Sequence, residues 1–316
     1  ESNKQIKINF NGGDLSSDGG LLLIKEFASR VGLVKLVKKL FKTNDSATFR
    51  IHTDQDNLMQ MIYQIIAAYF EDDCADELTN DPVLTAILDK EALASQPTLS
   101  RFWNRMDENT LAQLDTIDSK MREIVYSIDQ PEHMLFDLDS TLLNTYGSQE
   151  GEGFNFHYQA HGYHPLLCYD GLTGDLLKAE LRDGTHYCSK DADQFMVPLL
   201  QEYRRKYPSV PLYLRGDSGF ASPDLYEACE ENDCKYAIRL KQNASLFKYT
   251  AEAEAHQIIQ FYCGRGKMEN FIKEGKSGFD FSSVSSHSTI VNANRLHVHT
   301  LAYNLFNWFR RLTLSA

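Results

Sequence analysis

The hydrophobic pattern of the chain changes period near residue 133. Before it, apolar positions recur every three or four residues, as in Leu21, Leu22, Ile24, Phe27 and Val31, and again in Leu58, Met61, Ile62, Ile65 and Ile66. That spacing lines one face of a helix, and it predicts mainly helical structure from Ser17 to about Ser127. Ahead of it, residues 5–10 alternate as a short strand would before the Gly12-Gly13 turn. Ser95–Trp103 reads as a further helix start, with Pro97 ending the previous element and Thr98 available as a cap. This helix carries Ser100, Arg101 and Arg105, and a helix placed after a turn has the form that enters a DNA groove. An ordinary core helix has the same pattern.

From His133 the segments shorten and become continuously apolar. Met134–Asp139 reads as a buried strand, Leu166–Tyr169 and Asp175–Leu181 as two strands joined by a turn containing glycine, and Val210–Arg215 as another buried strand. Phe195–Tyr207 and Asp224–Cys234 read as helices, Tyr236–Leu240 as a strand, and the chain is helical again from about Ile258 through Asn292–Leu312. Three strands, then helix, strand, helix, strand and helix fit an α/β fold, an RNase H-like mixed sheet flanked by helices behind a mainly helical N-terminal domain. The domains expected are residues 1–130, a catalytic core over 131–291, and a C-terminal helix over 292–316.

Composition narrows the function. No run of about 18 apolar residues argues for a membrane span, and Glu1–Phe10 is too polar for a signal peptide. The six cysteines lack CxxC spacing, which predicts reduced thiols and a cytoplasmic protein. The net charge of −12 is unevenly spread: residues 1–50 and 262–316 each carry +4, residues 51–130 carry −11, and residues 131–261 carry −9. Basic ends around an acidic centre permit phosphate binding with metal ions offsetting the acids.

Three of those acids stand where the sheet would gather them. Asp139 ends the first strand, Asp217 follows the strand Pro211–Arg215, and Glu269 sits in the later helix. Phosphodiester cleavage at a two-metal site needs hard oxygen ligands on rigid supports. An aspartate at a strand end is more often a turn or helix cap, so the spacing around Glu269 carries the argument. Tyr262, Arg265, Glu269 and Lys276 would fall within an arc of about 60° on one continuous helix. An acid would then stand between two cations and a phenol. Gly264 and Gly266 count against a continuous helix, and a start after Gly266 would remove Tyr262 and Arg265 from the arc. A solvated charged face with an Arg265–Glu269 pair would leave the same pattern.

These residues resemble the DDE transposases of bacterial insertion sequences that carry a YREK signature: Tyr262, Arg265, Glu269 and Lys276 at the family's spacing, Asp139 before Ser-Thr, and Asp217 in Gly-Asp-Ser-Gly-Phe. The resemblance runs from Gly12-Gly13 to the end of the chain. It implies a DNA endonuclease and strand transferase performing cut-and-paste transposition as a homodimer on transposon ends and target DNA. It also implies two Mg²⁺ or Mn²⁺ ions held by Asp139, Asp217 and Glu269, in a bacterial protein that joins the nucleoid when bound to DNA. Tyr262, Arg265 and Lys276 would contact DNA, with Lys273 and Arg101 as further DNA contacts. Relatives usually carry a β-rich insertion before the Glu-bearing helix; here only about eight residues, Lys248 to Ala255, occupy that place, as though a segment near 249–257 were omitted.

Two rivals remain. Asp137-Leu-Asp139-Ser-Thr141 also resembles the first motif of haloacid-dehalogenase-type phosphatases, in which Asp137 would be nucleophile and Asp139 general acid. The alternation of a strand puts both acids on one face and cannot separate them. A non-catalytic DNA-binding relative would use the helical half and the tail residues Arg295, Arg310 and Arg311. His157, His161 and His164 are expected in a loop, and His297 and His299 as structural or phosphate-facing side chains with no zinc.

Overall fold

The computed structural model describes residues 18–47, 49–240 and 261–314. The strand expected over residues 5–10 lies outside them. Contacts divide the chain into two units, residues 1–129 with 275–316, and residues 130–274.

Among its described residues the first unit begins with seven helices: α1 (Leu21–Arg30), α2 (Leu33–Leu40), α3 (Asp54–Ile66), α4 (Cys74–Glu77), α5 (Pro82–Leu88), α6 (Gln96–Trp103) and α7 (Glu108–Ile128). Several starts are written in local chemistry. Thr53 and Asp56 close a capping box on α3, Asp107 and Thr110 do so on α7, and Asp81 accepts the Val83 and Leu84 amides ahead of Pro82 on α5. At α6 the expectation is corrected. Pro97 sits in the helix's own first turn instead of closing the previous element, and the flanking residue is Ser95, not Thr98. Proline fits there because first-turn amides have no partner inside the helix.

The second unit is built on a five-stranded sheet. Its strands are β1 (Met134–Ser140), β5 (Leu166–Asp170), β6 (Leu176–Glu180), β7 (Leu212–Gly216) and β8 (Cys234–Ile238), in the order β6-β5-β1-β7-β8. Three short strands, β2 (Leu143–Asn144), β3 (Gly153–Asn155) and β4 (Ala160–Tyr163), form a second sheet. β1 pairs antiparallel with β5 and parallel with β7, so the sheet is mixed. Parallel neighbours need crossovers, which α8 (Ala192–Lys206) and α9 (Pro223–Glu231) supply on the way to β7 and β8. This is the RNase H-like arrangement that the element order predicts: an antiparallel meander followed by parallel strands reached through helices. Every residue of β1 except Asp139 is buried, as befits a central strand. The helix α10 (Gly266–Gly278) buries Met268 and Ile272 and stacks Phe271 on Tyr169, ring centroids 5.9 Å apart.

The chain then returns to the first unit. The 25-residue helix α11 (Thr289–Thr313) is buried on nearly every side, as a central helix must be. Several of its buried polar residues find partners outside the helix. Thr110 donates to Asn294 at 2.8 Å, Asn304 donates to Asp118 at 2.9 Å, and Arg295 pairs with Asp72 at 2.7 Å beneath the Trp103 ring. Among the described residues no helix is long and apolar enough to cross a membrane.

Candidate active site

The site begins with strand register. Leu138 lies opposite Gly216 across the parallel β1–β7 pair, so Asp139 and Asp217 follow at neighbouring strand positions. Adjacent strands lie about 4.8 Å apart, which brings two carboxylates to the same end of the sheet. Each acid is pinned by a backbone amide. Ser140 N–H donates to Asp139 at 2.9 Å, and Gly219 N–H donates to Asp217 at 2.7 Å as the chain turns into the 3₁₀ segment Ser218–Phe220.

The third acid arrives from α10. Glu269 stands exposed in its first turn, close enough for its charge to act on Asp139. Burial first, then the charges of Asp217 and Glu269, push the Asp139 carboxyl up to about 6, against the pull of the Arg265 guanidinium. Arg265 pairs with Asp139 at 2.7 Å, and the two side chains are only 13% and 15% exposed.

The four-residue arc does not form on one helix. α10 begins at Gly266, and a turn at Gly264–Arg265 precedes it, as the two glycines permit. Arg265 therefore reaches the acids from the turn. Tyr262 lies just before the turn, half-buried. Lys273 is exposed one helical turn beyond Glu269. Lys276, near the end of α10, is half-buried, and burial pushes its amine down. Arg101 is exposed on α6, in the helical unit.

The neighbouring acid has a different fate. Asp137 is fully buried, and Arg215, its register partner on β7, grips both carboxylate oxygens, with Nε to Oδ1 at 2.6 Å. Arg215 also donates to the Phe261 carbonyl at 2.8 Å. The backbone around this pair has no room to spare. A Cβ on Gly171 would lie 2.2 Å from the Asp137 carboxylate, and one on Gly264 2.7 Å from the Arg215 guanidinium. A carboxylate so enclosed cannot attack a substrate, which removes the phosphatase assignment of Asp137 as nucleophile.

Two side chains that sequence reasoning missed line this end of the sheet. Tyr158 donates to the Ser140 carbonyl at 3.4 Å; burial first, then the charges of Asp139, Cys188 and Asp217, push its phenol up to about 12. Ser140 donates to the Cys188 sulfur at 3.2 Å. Neither spacing nor local pattern marks these residues; only the fold brings them there. His161 lies in β4, not a loop, and contacts Glu152 at 3.0 Å; strands of two to four residues leave no readable alternation. His297 and His299 are buried, against Asp115 and the Phe279 carbonyl, and so do not face phosphate. Arg295 is buried against Asp72, and Arg311 lies 3.8 Å from Asp129, which withdraws both from the free basic tail once expected.

Among the described residues, no three His, Cys, Asp or Glu side chains stand together tightly enough to hold a metal as they are placed. The donor chemistry nevertheless fits a hard divalent cation. Two oxygen-donor carboxylates, Asp217 and Glu269, act on a third, Asp139, and Arg265 supplies the positive charge that Asp139 faces.

A search against curated proteins by sequence finds no match. Among solved structures, the chain is similar to a piggyBac transposase synaptic complex with hairpin DNA, at 14% identity over 92% of this chain and 74% of that one, TM-score 0.48. It is also similar to the catalytic core domain of BIV integrase, at 12% identity over 52% and 80%, TM-score 0.31. The catalytic domain of Mos1 mariner transposase matches at 10% identity over 64% and 92%, TM-score 0.26. The family model described as transposase DDE domain group 1 matches residues 1–257 and 248–316, two stretches that overlap at the place where an insertion is expected. With both stretches together spanning it from end to end, the chain belongs to the transposase DDE domain group 1 family.

Proposed function

We propose that this chain cuts transposon-end DNA and joins the freed ends to target DNA, with Asp139, Asp217 and Glu269 as its catalytic acids. The observation that carries the reading is that the charges of Asp217 and Glu269 both act on Asp139 at one end of the sheet, in a chain matched throughout by a transposase family. The three carboxylates would hold Mg²⁺ or Mn²⁺, two ions that together supply an activated hydroxyl nucleophile and stabilise the departing oxygen. Asp139 and Asp217 would be fixed in place by their strand ends, and Glu269 would approach on its helix. Arg265, now on Asp139, would pass to a DNA phosphate, a ligand its fork-shaped guanidinium suits equally. Tyr262, Lys273 and Lys276 would meet DNA beside the cut, and Arg101 would meet it from the helical unit. We place the reaction in a bacterial insertion element, with a homodimer on the paired ends.

The test is cleavage of a labelled duplex carrying the element's terminal repeat, with Mg²⁺ or Mn²⁺. Asp139→Asn and Glu269→Gln are each expected to lower nicking by at least about 100-fold while DNA binding persists. Nicking that survives both substitutions would remove these residues from the chemistry.

A further inference from the structure

Two aspartates of β1 are each paired with an arginine, and the two pairs are built differently. Arg215 sets two nitrogens on the two oxygens of Asp137 and donates a third bond to the Phe261 carbonyl. Those side chains are 4% and 0% exposed. Arg265 instead sets Nη2 on Asp139 Oδ2 at 2.7 Å, in a pair 13% and 15% exposed. Its Nε is buried and has no hydrogen-bond partner. A donor left unmet in the folded state costs free energy, so the grip on Asp139 carries a penalty that the grip on Asp137 does not.

Arg265 lies in the turn before α10 and not within the helix. Its side chain can therefore leave Asp139 while α10 keeps Glu269 in place. What it holds matters more. Asp139 Oδ1 accepts from the Ser140 amide at 2.9 Å, and Oδ2 accepts from Arg265, so both oxygens are engaged and the partner of Oδ2 is a cation. A divalent ion drawn to this carboxylate meets a guanidinium already seated there. Two positive charges on one carboxylate repel each other strongly in an enclosed site, so each disfavours the other.

We propose that Arg265 occupies the metal's place on Asp139 until a DNA phosphate draws it away, so that divalent-cation binding and DNA binding each strengthen the other; the proposal rests on the transposase reading. Without DNA, a cation reaches Oδ2 only by breaking the ion pair. With DNA, the guanidinium exchanges one anion for another, because a phosphate suits its planar fork as well as a carboxylate does. Oδ2 is then open to the cation. Coupling between two ligands is reciprocal, so the factor by which DNA tightens metal binding is the factor by which metal tightens DNA binding. The acids are armed on DNA and idle away from it.

The experiment measures free Mn²⁺ by electron paramagnetic resonance as it is titrated into the full chain, with and without a duplex carrying the element's terminal repeat. Binding to the duplex alone is subtracted. Wild type is expected to bind Mn²⁺ at least about tenfold more tightly when the duplex is present. Arg265→Gln is expected to reach that tighter affinity without DNA, and to gain less than about threefold when DNA is added. Misfolding cannot imitate this result, since a lost site loses affinity and the variant is expected to gain it. Lys267→Gln removes an exposed cation from the same segment without freeing Asp139, and is expected to leave the DNA-free affinity within about twofold. An equal gain from Lys267→Gln, no gain from Arg265→Gln, or a wild type whose Mn²⁺ affinity ignores the duplex overturns the proposal. Asp139→Asn separates the two readings. If it abolishes Mn²⁺ binding while Arg265→Gln changes nothing, only the stand-in role of Arg265 is lost. If it binds Mn²⁺ as wild type does, the metal-holding acids and the transposase reading fall together with that role.

Discussion

Asp137 and Asp139 stand two residues apart on one strand and have opposite environments. Asp137 is closed off by a two-point grip from Arg215, while Asp139 shares its surroundings with Asp217, Glu269 and Arg265. The sequence could not separate them, because alternation puts both on one face and the deciding partner is 78 positions away. Removing that partner alone strands a buried charge. Arg215→Met is expected to cost about 3–5 kcal/mol in urea unfolding, and Asp137→Leu with Arg215→Met to recover most of it. A single substitution costing under about 1 kcal/mol would show the pair to be dispensable.

A second residue ties stability to pH. Burial first, then the Glu71 charge, push Asp280 up to about 6 from an ordinary 3.8. The folded protein therefore binds more protons than the unfolded chain between these values, and this contribution to stability is lost as pH rises through 6. Asp280 adopts φ +45, a conformation asparagine also tolerates. Asp280→Asn is expected to stabilise by about 1 kcal/mol at pH 7, allowing for half-exposure, and by nothing below pH 4. Thermal melts at the two pH values measure it, and a gain equal at both would refute the assignment.

At the scale of elements, legibility followed length. β1, β7, α8 and α11 were readable because each holds one period over five or more residues. β2, β3 and β4 were not, since strands of two to four residues are defined by their partners. The approach to Glu269 was half readable: the spacing was visible, but Gly264 and Gly266 break the helix that would have aligned it. The two glycines differ in what they face. A Cβ on Gly266 meets nothing within 4 Å, whereas one on Gly264 meets Arg215. Gly266→Ala is thus expected to raise stability by up to about 1 kcal/mol through chain entropy, and Gly264→Ala to lower it by about 1–3 kcal/mol by overpacking. Equal effects in thermal melts would contradict this difference.

For the whole molecule, the sheet unit is an insertion between two halves of the helical unit. Element order alone revealed the sheet, but not that α11 belongs with α1–α7, because that pairing joins segments about 160 residues apart. Truncation after Ser288 removes a helix buried on nearly all sides and is expected to abolish the cooperative unfolding of the helical unit. Circular dichroism melts with and without α11 test this. The same arrangement sets a timetable for synthesis. A ribosome delivers α1–α7 first and α11 roughly 10–30 s later, at ordinary elongation rates. Throughout that interval the nascent helices show the apolar faces meant for α11, and chaperones that shield unfinished helical surfaces are expected to bind them until the last helix emerges.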